Sequence, residues 1–157
     1  MTDKFYSAQS GHWVPLVGPI DETGGKTSHA FSMEMWAHAS IVIGIGTSAA
    51  APGAITLNAC SDAAGDGATA IPFNVFKCEV ANSDVLGAKV VCTATGFTPP
   101  ATDNIFYVIE IDAQALPQGL PYLQLAEADT TNSVINSAFA LLSGGRQASD
   151  QSATVLV

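Results

Sequence analysis

Charge is what this sequence has least of. Charged residues make up 12% of the 157-residue chain, about half the share of an average globular domain. Five are basic, Lys4, Lys26, Lys77, Lys89 and Arg146, and they stand singly with no aromatic residues interleaved. That leaves no footprint for a nucleic-acid backbone. Fourteen acids give a net charge of −9, a field that repels phosphate backbones and anionic lipid headgroups. No nucleic acid and no membrane surface is expected as a partner. Cysteine is scarce too: Cys60, Cys78 and Cys92 are an odd number with no CxxC and no neighbouring histidine. They read as small strand-buried thiols of a reducing compartment, with one disulfide among them left open. No apolar run approaches the roughly 20 residues of a membrane span. The opening MTDKFYSAQSGHW has neither the basic nor the apolar region of a secretory signal, so cytoplasmic synthesis is expected.

A sustained helical period is also missing. Apolar residues alternate or run in short blocks between breaks rich in Gly, Pro, Asp and Asn, which is the pattern of strands. Nine are expected: His12–Val17, His29–Trp36, Ser40–Gly46, Ala54–Cys60, Phe73–Val80, Ala88–Ala94, Ile105–Asp112, Tyr122–Ala126 and Val134–Ser143. The clearest is Ile105–Asp112, IFYVIEID, where Ile105, Tyr107, Ile109 and Ile111 should face a core while Glu110 and Asp112 share the other side. In Phe31–Trp36, Phe31, Met33 and Met35 take one face, and Trp36 ends on the polar side with Ser32 and Glu34. Short strands joined by Ala51-Pro-Gly53, Thr98–Asp103 and similar turns predict an all-β, single-domain antiparallel β-sandwich, jelly-roll or Ig-like. The domain spans 1–157, with an extended N-terminal arm over about 1–11 and a C-terminal tail over about 146–157. Within the tail, Thr154–Val157 reads as a strand seeking a partner.

Several stretches carry residues with chemical potential. Ser61–Ala70, SDAAGDGATA, matches a calcium loop at Asp66 and Gly67, but Ala64 and Phe73 fall where oxygen ligands are required. As a phosphate cradle it carries an acid within the turn and leads through Pro72 into a strand, not a helix. It reads as a connection. His12, His29 and His38 have no GxSxG or HExxH around them, and His29 and His38, which could sit close across paired strands, do not define a zinc site without an adjacent carboxylate. Each is read as structural. Acids pair locally as Asp21-Glu22, Glu110 with Asp112, and Glu127 with Asp129. On one strand face Glu110 and Asp112 sit about 7 Å apart, a spacing compatible with glycoside hydrolysis, but they read first as a solvated strand end that discourages edge pairing. No catalytic residue, cofactor site or metal site is expected, and the chain is not read as an enzyme.

A family resemblance lies in Lys4-Phe-Tyr6, in His38–Ile43, in Gly53–Ala68 with its AITLNACSDAAGDG core, in Tyr107–Ala113 and in Ala138–Ser143 followed by GGRQA. Together these resemble small β-rich virion structural proteins of tailed phages and prophages, of the capsid decoration or cement type. Cys60, Cys78 and Cys92, and the Leu116–Pro121 turn, where the family would have a more acidic one, depart from that pattern. The resemblance implies a protein on the capsid exterior, bound to the major capsid protein and to itself as a homo-oligomer such as a trimer, with no activity and no cofactor. A neutral polar surface poor in Lys and Glu suits such assembly, because little side-chain entropy is lost on contact. Phe5, Tyr6 and Trp13 are the expected interface residues. Alternatives are another virion part (tail tube, head completion or fibre-associated protein), or a glycan-binding sandwich using Trp13 or Trp36 as a stacking platform.

Overall fold

The computed structural model describes residues 7–146, apart from the side chain of Gln9. Phe5, Tyr6 and the Thr154–Val157 segment lie outside the described residues. Among the described residues, alternating apolar residues bounded by turn-formers produce eleven strands: β1 (His12–Asp21), β2 (Lys26–Thr27), β3 (Phe31–Ser32), β4 (Trp36–Ser48), β5 (Ile55–Cys60), β6 (Thr69–Ile71), β7 (Phe73–Cys78), β8 (Val90–Cys92), β9 (Ile105–Asp112), β10 (Tyr122–Glu127) and β11 (Val134–Gly145). One helical turn, Ser7–Ser10, precedes β1, and a 3₁₀ turn, Ala113–Ala115, follows β9.

The strands form two antiparallel sheets. The larger has the order β1-β11-β4-β9-β7-β8; the smaller has β2-β10-β5-β6, with β3 also paired to β10. Pairing is nested: β1 with β11, β2 and β3 with β10, β4 with β9, β5 with β6. Successive nested pairs fall alternately in the two sheets, as when a long hairpin is rolled up, and this is the jelly-roll form of the expected sandwich. The β7–β8 hairpin widens the larger sheet beyond β9. Pro72 supplies the crossing. Having no N–H for a ladder, it interrupts pairing between Ile71, opposite Leu57 in one sheet, and Phe73, opposite Cys92 in the other.

The period of two puts the core where the sequence predicts it. Ile105, Tyr107, Ile109 and Ile111 of β9 are buried beside Ala39, Ile41, Ile43 and Ile45 of β4, and face Leu57, Leu123 and Leu125 from the smaller sheet. Each fully buried Leu or Ile contributes about 1.5–3 kcal/mol. In β1 the register shifts between Pro15 and Val17, so that consecutive Leu16 and Val17 are both buried.

Three expectations need correction. His29–Trp36 is not one strand: pairing stops after Ser32, and a turn closed by the Trp36 N–H donating to the Met33 carbonyl (3.1 Å) carries the chain to the other sheet. Trp36 therefore opens β4 and is buried, stacked on His12 at 5.7 Å, instead of lying on a wet face. Glu110 and Asp112 are not at a sheet edge, because β9 runs between β4 and β7. Finally, Thr69 and Ala70 of SDAAGDGATA already pair with Ala59 and Asn58 as β6.

Candidate interaction face and polar clusters

The outward face of the larger sheet departs from the rule that a sheet's solvent side is polar. Cross-strand partners place Pro15, Phe139, Val42, Val108 and Phe76 in one row across five strands. The next row begins with Trp13 and Leu141 and continues through Ser40, Glu110, Asn74 and Val91. Trp13 is 43% exposed and Phe139 42%. Neither row contains a basic residue. In the first row Pro15 and Phe139 are exposed and Val42, Val108 and Phe76 half-buried, an apolar stripe that is the candidate contact surface of this sheet. Trp13, the expected interface residue that falls within the described part, lies in the row next to it.

That second row and the one beyond it bring together what sequence spacing kept apart. His38 pairs in register with Asp112, and Ser40 with Glu110. The His38 ring lies between the two acids, Nδ1 2.7 Å from Asp112 Oδ1 and Nε2 2.5 Å from Glu110 Oε2, while the Ser40 hydroxyl donates to Glu110 Oε2 at 2.6 Å. The histidine thus has two adjacent carboxylates, 72 and 74 residues away in sequence. With both nitrogens facing acceptors, the ring making both bonds is the imidazolium. It offers no free nitrogen to a nucleophile, and Ser40 is bonded to Glu110, so the cluster lacks the serine-to-histidine contact of a catalytic relay. It works as a charge clamp that pairs two acids beside the apolar stripe.

Burial disfavours charge on His38, but the hydrogen bonds to Asp112 and Glu110 and their negative charges outweigh it, raising the pKa above 6.5. A raised histidine contributes stability that is fully present below pH 6.5 and is lost as pH rises through the folded-state value. The His38 ring resonance should titrate above 6.5 by NMR; a midpoint at or below 6.5 would show that the clamp does not form.

In SDAAGDGATA, Asp62 is committed to its own loop. Its Oδ1 accepts from the N–H groups of Ala64 (3.0 Å) and Asp66 (3.1 Å), and the Ser61 N–H donates to the Asp66 carbonyl at 2.8 Å. Gly65 and Gly67 take the positive φ values, 86° and 65°, that let the loop close so tightly. The three cysteines are free and buried. Burial raises the thiol pKa of Cys60 and Cys92, and Cys78 donates to the Ser83 carbonyl. A shallow recess of about 230 Å³ beside Leu116–Pro121, lined also by Met33 and Glu34, is smaller than the roughly 300–1,000 Å³ of most small-molecule sites.

The local acid pairs are split by the fold. Asp21 faces outward, holding the Ser133 hydroxyl (2.6 Å) and the Thr23 N–H (3.0 Å), which lower its pKa. Asp129 accepts from the Gly24 N–H at 2.9 Å. Their neighbours Glu22 and Glu127 turn inward and are buried. Parity along β10, where Leu123 and Leu125 face the core, is the signal that marks Glu127.

No family model matches this chain, and no curated protein does. Among solved structures it is similar to the crystal structure of the SPBc2 prophage-derived protein YomS, at 17% identity over 83% of this chain and 94% of that one, with a TM-score of 0.42. At that TM-score the likeness carries no functional argument.

Proposed function

We propose that this chain is a tailed-phage virion structural protein that decorates the outside of a capsid, binding the major capsid protein and stabilising the assembled head. The observation that carries this reading is the in-register apolar stripe Pro15–Phe139–Val42–Val108–Phe76, on the outward face of the larger sheet and free of basic residues. Support also comes from the sequence resemblance, whose Tyr107–Asp112 and Ala138–Ser143 stretches fall on β9 and β11, two strands of that sheet. A partner that binds the assembled lattice and not its separated subunits shifts the equilibrium toward assembly by mass action. His38 keeps Glu110 and Asp112 paired beside the stripe, which limits the charge that docking must desolvate.

The test is to add purified protein to heads lacking it, built from the cognate major capsid protein. Saturable co-sedimentation in a fixed ratio to capsid subunits is expected. Binding in a dozen copies or fewer per head would favour a completion protein, and failure to bind any head would refute the proposal.

A further inference from the structure

The inward acids form a site of their own. Along β10 the core positions run Leu123, Leu125, Glu127, and along β11 they run Val134, Asn136, Ala138, so a carboxyl and an amide stand where apolar side chains are otherwise found. Glu22, just beyond β1, turns into the same space. The three are 1%, 4% and 2% exposed for Glu22, Glu127 and Asn136 respectively. Asn136 Nδ2 lies 2.5 Å from both Glu22 Oε2 and Glu127 Oε2, and the Gly53 N–H donates to Glu22 Oε1 at 3.2 Å. Glu127 Oε1 and Asn136 Oδ1 have no partner among the described residues. Glu22 and Asn136 belong to the larger sheet's end and Glu127 to the smaller sheet, so the cluster ties one to the other.

Two ionised carboxylates cannot share such a place without a positive charge between them. The charged groups around them do not supply one by direct contact. Asp21 adds negative charge beside Glu22; Asp129, past the end of β10, is bonded to Gly24; Lys26, opposite Glu127 across β2 and β10, acts through space without an ion pair among the described residues. The two carboxyls are instead gathered on a single donor, each with its Oε2 2.5 Å from the one Asn136 nitrogen, and two acids held so close in a buried place ionise as a pair, the first charge opposing the second.

We propose that Glu22 and Glu127 share one proton and, with Asn136, form a clamp between the two sheets that opens as the proton is lost to solvent. Loss leaves two facing carboxylates whose repulsion loosens this end of the sandwich. Burial pushes Glu127 up to about 7, with the Asn136 hydrogen bond opposing the rise and the charge of Glu22 adding to it; Glu22 is raised as well, again chiefly by burial. An acid raised on folding holds a proton that the unfolded chain has released, so stability falls as pH rises from about 4.5 to about 7 and is level beyond.

The test uses the full chain. In a His38→Gln background, which removes the imidazole's own loss of stability in this range, the thermal midpoint should fall between pH 5 and pH 8. Adding Glu127→Gln, which fixes the neutral form, should at least halve that fall and raise the midpoint at pH 8. The infrared spectrum of the unsubstituted chain should show a protonated carboxyl band at pH 6 that fades by pH 8, a readout that does not depend on any variant folding. No such band at pH 6 would overturn the proposal. So would a calcium-dependent rise of the midpoint at pH 8 that Glu127→Gln abolishes, which would make the cluster a metal site.

Discussion

Replacing Gly53 with alanine is expected to destabilise the fold by about 3 kcal/mol, at the upper end of what overpacking a buried site costs. Gly53 lies in the connection that carries the chain from β4 in the larger sheet to β5 in the smaller one, and it is buried. A Cβ there would overlap the carbonyl oxygen of Ala128. Neither backbone can easily withdraw: the Ala128 N–H donates to the Ala54 carbonyl at 2.9 Å, and the Gly53 N–H is bonded to Glu22. Since native domains are stable by about 5–15 kcal/mol, this is a large fraction of the total. With a urea slope near 2 kcal/mol per molar, the unfolding midpoint should drop by roughly 1.5 M. Gly18→Ala, at an exposed site where a Cβ meets nothing, serves as the control and should stay within about 1 kcal/mol of the parent. Equal midpoints for the two variants would show that the crossing is not as tightly packed as described.

The second large effect is on binding. Phe139 stands second in the outward stripe, between Pro15 and Val42, and is its most exposed aromatic side chain. An aromatic anchor buried at an interface commonly accounts for 2–4 kcal/mol when lost, so Phe139→Asp should weaken association with heads by roughly 30- to 1,000-fold. The same substitution should disturb the isolated fold little, by about 1 kcal/mol or less, because Phe139 is already 42% exposed and its neighbours Ala138 and Ala140 carry the core contacts. A variant that stays folded yet binds as well as the parent would remove the stripe from the docking surface. Tryptophan fluorescence offers an independent reading, since Trp13 lies one row away from Phe139 and Trp36 is buried against His12. Head binding should change the exposed fluorophore and spare the buried one, as Trp13→Phe and Trp36→Phe variants would distinguish.

How much of this was legible in the sequence depends on how far apart the cooperating residues stand. IFYVIEID announces its own core face by alternation, and β9 matches the expectation residue for residue. Trp36 does not, because the turn that places it in β4 depends on a backbone hydrogen bond to Met33 and on which sheet needs the next strand. The His38 clamp was illegible for a different reason. Sequence could put Glu110 and Asp112 on one face, but setting His38 between them requires the β4–β9 register, which depends on the whole roll of the sandwich. The inward Glu127 was within reach: continuing the alternation of Leu123 and Leu125 by one step marks it as a core position, whereas treating it as a local partner of Asp129 hides it. The apolar stripe is likewise a property of five strands at once. No single strand carries more than one or two of its residues.

The central claim is that this sandwich docks onto a capsid through the outward face of its larger sheet. Electron cryomicroscopy of heads saturated with the purified protein tests it most directly. The account predicts ordered density outside the lattice at regular, stoichiometric positions, with the β1–β11–β4 face bearing Trp13 and Phe139 buried against capsid protein or a neighbouring copy. Density that leaves this face open to solvent, or heads that carry no copies at saturating protein, would contradict it.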